Sequence, residues 1–311
     1  MKVSKFGGSS QASEKSIENI LLLAQDEERK CLVFSAIGKS CDSDEKVTDL
    51  LVEVYEKFVS TGVFDIKKVK SKFYWLRDTL SLKVDLEGEF EDVERKFKEN
   101  LSYDYLLSRG EYLTAKLMSQ KLGIKFVPSE QLLFFKNNLV DYKKTEKAIS
   151  EALHDYDRII TGGFYGVDEK GDIKLLSRGG GDLSGAIFAR VCMASVYEIF
   201  TDVDGIYQIN PKIGKSKKLE FVSYKDLIFM TGKDAKVVQK DCGKVLKNTQ
   251  VKLVVRNSFN LADQGTQISK DKLTDKAFIS IDEKTGKIYL SFLGKRRVVK
   301  AYEKENLLKL L

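Results

Sequence analysis

The stretch Ser177-Arg178-Gly179-Gly180-Gly181-Asp182-Leu183-Ser184-Gly185-Ala186 decides the fold. Three consecutive glycines can adopt backbone conformations that side chains forbid, so a ligand can lie directly on the main chain. Asp182 is a good N-cap residue, and apolar residues then recur at helical spacing as far as Val191. The glycines therefore lead into a helix whose free N-terminal N–H groups suit an anion. A flexible glycine-rich loop is the alternative reading, and the flanking Arg178 and Asp182 argue against it.

Two further glycine-rich segments follow predicted strands. Residues 2–6 form a short strand that ends in Gly7-Gly8-Ser9-Ser10, and a helix is expected over 13–29. Residues 158–161 form another strand, which ends in Gly162-Gly163-Phe164-Tyr165-Gly166. A strand over 196–200 follows the third glycine segment and ends in Thr201-Asp202. Loops at the carboxyl ends of parallel strands meet at one edge of a sheet, so we expect a polyphosphate-binding site there, within reach of Lys5.

The remaining periodicity predicts alternating strands and helices. Residues 44–102 are purely helical in pattern and form an insertion. Further helices are predicted over 108–122, 143–154, 224–230 and 234–247, with strands over 31–36, 124–127, 131–135 and 251–256 and a hairpin over 167–176. The fold class is α/β, a three-layer α/β/α sandwich with a mostly parallel central sheet. We expect a catalytic domain over 1–274 and a short tail over 275–311, the tail holding one hairpin and a terminal helix.

Composition limits the classes of function. Lys and Arg total 53 against 46 Asp and Glu in 311 residues, a net charge of +7, with no interleaving of basic and aromatic residues that would indicate nucleic acid. The sequence has no apolar run of membrane-spanning length and no signal-peptide pattern, and its four cysteines have no metal-ligand spacing, so we expect a cytoplasmic protein with reduced thiols. The single histidine, His154, lies near a predicted helix end and is expected to be structural.

These residues suit transfer of the γ-phosphoryl group of ATP to a carboxylate. A carboxylate has a pKa near 4, is already ionised at neutral pH and needs no general base. The reaction brings like charges together, which lysines and Mg²⁺ must offset electrostatically. We therefore expect Mg²⁺ to enter with ATP, without direct protein ligands.

Four motifs in this order resemble the aspartokinases of the amino acid kinase superfamily. They are Lys5-Phe6-Gly7-Gly8-Ser9-Ser10, Ser108-Arg109-Gly110-Glu111, Ser177-Arg178-Gly179-Gly180-Gly181-Asp182 and Thr201-Asp202-Val203-Asp204-Gly205-Ile206-Tyr207. The resemblance extends over about residues 2–268. It implies phosphorylation of the side-chain carboxylate of L-aspartate by MgATP, the entry to lysine, threonine and methionine biosynthesis. The alternatives are a sister kinase with another carboxylate or phosphate acceptor and a catalytically weak ligand-binding homologue.

The resemblance also implies roles for individual residues. Lys5 and Asp182 would be catalytic, Lys5 on the transferring phosphoryl group and Asp182 orienting a catalytic lysine or the metal shell. Thr48, Glu111 and Arg178 would hold the amino acid: Arg178 would pair with the α-carboxylate, and Glu111 would take the α-ammonium. The residues expected to bind ATP are Lys5, Gly7, Gly8, Ser9, Thr201, Asp202, Tyr207, Lys212 and Lys236.

The sequence differs from the family pattern at three places. Gly181 replaces a usual Ser or Thr, Gln239-Lys240 replaces a common His-Pro, and Lys212 replaces a usual Arg. Family members commonly carry two C-terminal ACT modules that bind an end-product amino acid and help to build a dimer. The residues from 275 onward are too few for two such modules, so we expect no inhibition by lysine or threonine. The tail would pack on the catalytic domain or on a second subunit, which leaves a homodimer open.

Overall fold

The computed structural model describes residues 1–177, 179–211, 216–230, 238–281 and 287–299. The helices of this part of the chain are α1 Glu14–Leu23, α2 Val47–Thr61, α3 Lys67–Thr79, α4 Glu87–Asn100, α5 Tyr103–Leu122, α6 Tyr142–Tyr156, α7 Gly180–Val191, α8 Tyr224–Met230 and α9 Lys240–Leu246. The strands are β1 Lys2–Phe6, β2 Arg29–Phe34, β3 Lys125–Phe126, β4 Phe135–Lys136, β5 Leu139–Val140, β6 Ile159–Gly162, β7 Tyr165–Val167, β8 Ile173–Leu175, β9 Val196–Thr201, β10 Phe221–Ser223, β11 Lys252–Asn257, β12 Thr266–Ser269, β13 Phe278–Ile281, β14 Ile288–Phe292 and β15 Lys295–Val299.

An eight-stranded sheet organises the chain in the order β10-β12-β11-β9-β1-β2-β6-β3. The six strands from β11 to β3 are parallel, whereas β12 is antiparallel to β11 and β10 follows the direction of β12. Lys5 of β1 lies level with Ile199 of β9 and Val33 of β2. The strand ends that carry the glycine segments therefore meet at one edge, and the mostly parallel sheet is confirmed.

Two apolar cores flank the sheet and complete the three layers. One core lies under α6, α7, α8 and α9, with the fully buried Ile187, Phe188 and Tyr197 at its centre. The other lies under α1 and α5 and continues into α2, α3 and α4. In this second core Phe6 stacks on Phe34 and Phe200, with ring centroids 5.0 and 5.1 Å apart. Because these rings lie at the ends of β1, β2 and β9, they make the edge that carries the glycine segments rigid.

A buried ion cluster ties four central strands together beneath α1. The Glu198 carboxylate accepts hydrogen bonds from Arg29 Nε and Nη2, at 2.7 and 3.0 Å, and from Ser4 Oγ at 2.7 Å. Arg256 Nη1 lies 3.4 Å from the same carboxylate. Removing one partner of such a group leaves a buried charge without compensation, so the cluster fixes the relative placement of β1, β2, β9 and β11.

The helical insertion is confirmed as three helices, α2, α3 and α4, whose apolar stripes pack on α5. The helix predicted to begin at Ser108 was placed wrongly, because α5 begins at Tyr103 and Ser102 Oγ accepts the Tyr105 N–H at 3.1 Å. The Ser108-Arg109-Gly110-Glu111 motif therefore lies inside the helix. Gly110 is needed there for close packing, since a Cβ on it would lie 2.9 Å from the Ala36 methyl carbon.

Three other predicted elements need correction. The first helix ends at Leu23, and Arg29 belongs to β2, where Glu198 binds it. The predicted strand over 131–135 is mostly irregular: a 3₁₀ turn, Ser129–Gln131, precedes the two-residue β4. Asp182 does not cap α7, because Gly179 is the N-cap at φ +80°, a left-handed conformation that suits glycine. The start of the late helix predicted over 234–247 lies outside the described residues.

The tail forms an antiparallel sheet that packs on the main body. The predicted hairpin is confirmed as β13 and β14, β15 adds a third strand that was not predicted, and the predicted terminal helix lies outside the described residues. The buried Asp226 of α8 is the anchor: it accepts Ser223 Oγ, Thr274 Oγ1 and Ser291 Oγ and pairs with Arg296 Nε at 2.7 Å. Burial acts to raise the pKa of Asp226, but these donors and the Arg296 charge outweigh it and hold the pKa below its ordinary value.

Candidate active site

Lys5 and Asp182 form an ion pair at the glycine-bearing edge of the sheet. Lys5 Nζ lies 2.7 Å from Asp182 Oδ1, and the two side chains are only 12% and 14% exposed. Lys5 shares the β1 face of Val3, so it points towards α7, where Asp182 occupies the first turn. A lysine held in this way presents positive charge at the N-terminus of a helix, where the backbone already favours an anion.

The glycine segments converge on this pair. A Cβ on Gly7 would lie 3.6 Å from Lys5 Nζ, and one on Gly181 would lie 3.3 Å from Lys5 Cε. A Cβ on Gly163 would lie 2.9 Å from the Gly181 Cα, so the second segment touches the third. The convergence expected from the sequence is therefore present. A fourth loop joins them, since the Gly38 N–H donates to the Gly8 carbonyl at 2.9 Å.

Buried polar residues that the sequence reasoning missed hold the first glycine segment in place. Gln11 Nε2 donates to the carbonyls of Gly7 and Ser35, at 3.2 and 3.0 Å, and so joins the ends of β1 and β2. Ser258 Oγ donates to Ser10 Oγ at 2.8 Å and to the Thr201 carbonyl at 3.0 Å, joining β11 to the ends of β1 and β9. Gln11 could have been noticed as a large polar residue directly after the glycines; Ser258 gives no such signal.

Glu111 supplies a buried carboxyl group on the other face of the sheet. It lies in α5 against Gly162, is 5% exposed, and its Oε2 has no hydrogen-bond partner among the described residues. Burial raises its pKa to about 8, while the Ala36 N–H and the charges of Lys5 and Arg109 act in the opposite direction. A buried acceptor without a partner suits a ligand cation, because an ammonium group would supply both the missing hydrogen bond and the missing charge.

Arg109, next to Glu111, is held by aromatic rings. Its guanidinium lies over Tyr105, Tyr112 and Tyr165, at 4.6, 4.5 and 5.4 Å from the ring centroids. Its Nη2 also donates to Ser108 Oγ at 2.8 Å and lies 3.7 Å from Glu130 Oε1. These contacts fix the middle of α5, so the backbone that carries Glu111 is held in position from both sides of the helix.

Of the remaining predicted site residues, five lie in the described part of the chain and three lie outside it. Thr48 is half-buried in the first turn of α2, where the neighbouring Val47 N–H donates to the Ile37 carbonyl of the fourth loop at 3.0 Å. Thr201 and Asp202 end β9, with Thr201 Oγ1 donating to Asp202 Oδ1 at 3.1 Å, and the half-buried Tyr207 follows in the same loop. Ser9 opens a 3₁₀ turn directly after Gly8. Arg178, Lys212 and Lys236 lie outside the described residues.

Two of the departures from the family pattern have a structural setting. A side chain at Gly181 would place its Cβ 2.9 Å from Ser35 Oγ, so the hydroxyl of Ser35 occupies the space next to this glycine. Gln239 Nε2 donates to Ser177 Oγ at 3.0 Å, and its side chain packs on Gly179. The residue before α9 therefore supports the third glycine segment directly.

A profile of the amino acid kinase family matches residues 1–257. The chain belongs to the amino acid kinase family. Aspartokinase 3 of Bacillus subtilis is 28% identical over 94% of this chain and 69% of its own length, and the aspartokinase of Chlamydia trachomatis is 27% identical over 86% of this chain and 64% of its own length. These similarities confirm the expected resemblance of this amino acid kinase to aspartokinases.

Solved structures agree with the fold of this amino acid kinase. Clostridium acetobutylicum aspartate kinase superposes with a TM-score of 0.79 at 30% identity, over 87% of this chain and 63% of that chain. E. coli aspartokinase III in complex with aspartate and ADP gives a TM-score of 0.74 at 21% identity. The chain thus spans about two thirds of the length of these relatives. No helix in the part described combines the length and apolar character needed to cross a membrane.

Proposed function

We propose that this amino acid kinase is an aspartate kinase, which transfers the γ-phosphoryl group of MgATP to the side-chain carboxylate of L-aspartate. One carboxylate oxygen of aspartate forms a bond to the γ-phosphorus, the bond from that phosphorus to the β,γ-bridging oxygen breaks, and 4-phospho-L-aspartate and ADP are the products. The observation that carries the choice of an amino acid is the buried Glu111 Oε2, which lacks a partner in the described part of the chain. Burial raises the pKa of Glu111 to about 8, and pairing with the ammonium group of an amino acid would favour the ionised carboxylate.

The phosphate end of the reaction falls to Lys5 and the first glycine segment. Lys5 Nζ, which pairs with Asp182, would stabilise the negative charge that shifts from the γ-phosphoryl oxygens to the leaving ADP. Two like charges 4 Å apart repel by about 4 kcal/mol at an effective dielectric of 20, and a cation between them would offset repulsion of this size. Gly7, Gly8 and Ser9 would present backbone N–H groups to the phosphates.

Magnesium ions in such sites are usually held by one or two carboxylates together with the substrate phosphates. In this protein we expect Mg²⁺ to enter with ATP, and Asp182, whose carboxylate is held by Lys5, would orient the metal's hydration shell rather than bind the metal directly. Bound there, the metal would neutralise charge on the phosphates. Thr201, Asp202, Tyr207, Lys212 and Lys236 would complete the nucleotide site, and Thr48 and Arg178 would hold the amino acid beside Glu111. A homodimer and a cytoplasmic location belong to the same proposal.

Hydroxamate formation tests the assignment directly. Purified protein with MgATP and hydroxylamine is expected to give aspartyl hydroxamate with L-aspartate and none with L-glutamate or UMP. Product with glutamate but not with aspartate would favour a sister kinase, and UMP-dependent release of ADP would favour a phosphate acceptor. Tight binding of ATP and aspartate without any product would identify a ligand-binding homologue.

A further inference from the structure

A basic cleft lies on the side of the molecule away from Lys5. It has a volume of about 760 Å³ and lies between α8, α9, the β12–β13 connection and the strands β14 and β15. The cleft adjoins the carboxyl ends of β10 and β12, which are Ser223 and Ser269. Because β10 and β12 run against the other strands, their carboxyl ends lie level with the beginning of β11, opposite the glycine segments. The cleft is therefore separate from the site proposed for phosphoryl transfer.

The lining of this cleft is positively charged without compensation. Its cations are Lys225, Lys240, Lys247, Lys270, Lys272 and Arg296, and no carboxylate is among its described lining residues. Arg296 pairs with the buried Asp226, but none of the five lysines forms an ion pair with a described residue. By contrast Lys244, which lies on α9 with Lys240 but outside the cleft lining, pairs with Asp241 at 2.7 Å.

Such an arrangement stores electrostatic repulsion that an anion would relieve. Five unpaired lysines around one concave space multiply that effect, and the low-dielectric walls strengthen the field inside the cleft. A ligand with a single negative charge would neutralise only part of it.

The walls of the cleft are preformed rather than loose. Phe229 and Tyr289 pack edge to face, with centroids 5.5 Å apart, and join α8 to β14. Lys272 Nζ lies 3.5 Å from the centroid of the Phe221 ring, which holds the β12–β13 connection against β10. Arg296 is fixed by Asp226, which also accepts three hydroxyl groups. Two of the cleft cations, Arg296 and Lys272, are thus held in place by neighbouring side chains.

We propose that this cleft binds a small molecule with two or more phosphate groups. Its volume lies within the range of small-ligand sites, about 300–1,000 Å³. Phosphate groups suit lysine as a point charge and arginine as a fork. The aromatic walls at Phe229 and Tyr289 leave room for an organic portion beside the phosphates.

The test uses the full chain with the nucleotide site at Lys5 saturated by a non-hydrolysable MgATP analogue, and measures the binding of inorganic tripolyphosphate by calorimetry at physiological ionic strength. Lys225→Gln combined with Lys247→Gln removes two cleft charges. The control Lys244→Gln removes one charge from α9, outside the cleft. We expect the cleft variant to weaken tripolyphosphate binding at least tenfold and the control to change it less than twofold. All three proteins should melt within about 2 °C of one another, because these side chains are exposed.

Each other outcome overturns the proposal. Absence of tripolyphosphate binding to the wild-type chain would show that the cleft is only a solvated basic surface. Equal weakening in the cleft variant and the control would show that net charge alone matters. If a single-stranded 20-nucleotide DNA binds more tightly than tripolyphosphate and loses affinity in the cleft variant, the ligand is a nucleic acid. None of these results bears on the phosphoryl transfer proposed for the Lys5 site.

Discussion

Aspartate binding is expected to release a proton at neutral pH, because Glu111 is largely protonated before the substrate ammonium arrives. With a pKa of about 8, the carboxyl group is about 1% ionised at pH 6, about 9% at pH 7 and half ionised at pH 8. Pairing with the ammonium favours the ionised form. Binding at pH 7 should therefore release about 0.9 proton, and the affinity for aspartate should rise about ninefold from pH 6 to 7 and about fivefold from pH 7 to 8.

Calorimetric titration of aspartate into the protein with a non-hydrolysable ATP analogue measures this release. Runs in two buffers of different ionisation enthalpy give the number of protons, and a series from pH 6 to 8.5 gives the affinities. Glu111→Gln should bind aspartate more weakly, release no proton and show a flat profile over this range. Glu130→Gln changes another glutamate with a buried, unpaired oxygen and should keep the release. Release near zero in the wild-type protein, or equal release in Glu111→Gln, would refute this role of Glu111.

Four further outcomes are expected. Lys5→Ala should lower kcat by about 10²–10³-fold and change the KM for aspartate less than threefold, as steady-state kinetics would show; a change confined to KM would contradict this. Asp226→Asn should cost about 2 kcal/mol in urea unfolding, because it leaves the partly exposed Arg296 without its partner; an unchanged midpoint would show that the tail is anchored elsewhere. Since the pKa of Glu111 rises from 4.5 to about 8 on folding, its ionisation penalty grows between these pH values and stays constant above them. Glu111→Gln should thus stabilise the fold by at most about 5 kcal/mol at pH 9 and hardly at all at pH 4, and equal melting curves at pH 9 would disprove it. His154→Gln should leave kcat/KM within twofold, because this exposed residue lies at the end of α6, and a tenfold loss in a stable variant would implicate it.

The sequence predicts the strands that end in glycine segments because each combines two strong local signals. A short segment with β-branched or aromatic residues followed directly by glycines is typical of a strand and a tight turn. The stripes of α2, α3 and α4 are equally clear, since their apolar residues recur at helical spacing. In these segments the local preference and the tertiary packing agree.

The errors occur where a distant contact overrides a local preference. The helix predicted to begin at Ser108 begins at Tyr103 instead, and its middle packs so closely on Ala36 that only glycine fits at position 110. The sequence predicts that Arg29 ends the first helix. In the structure Arg29 lies in β2, because it pairs with Glu198, 169 residues away. Asp226 reads as an ordinary helical acid, yet Ser291 and Arg296 of the tail bind it. The boundary of the catalytic domain at residue 274 stays a prediction.

The central position of β1 has a consequence for synthesis of the chain. The buried cluster cannot form until Glu198 has been synthesised, 194 residues after its partner Ser4. In the same way, Lys5 has no ion-pair partner until Asp182 has been synthesised. At about 5–20 residues per second this delay lasts roughly 10–40 s, during which one edge of β1 has no partner strand. A nascent chain that stalls before α7 would already contain Lys5 and Arg29, yet would lack Asp182 and Glu198, the carboxylates with which they pair. The N-terminal half is therefore the part of this protein most in need of protection on the ribosome.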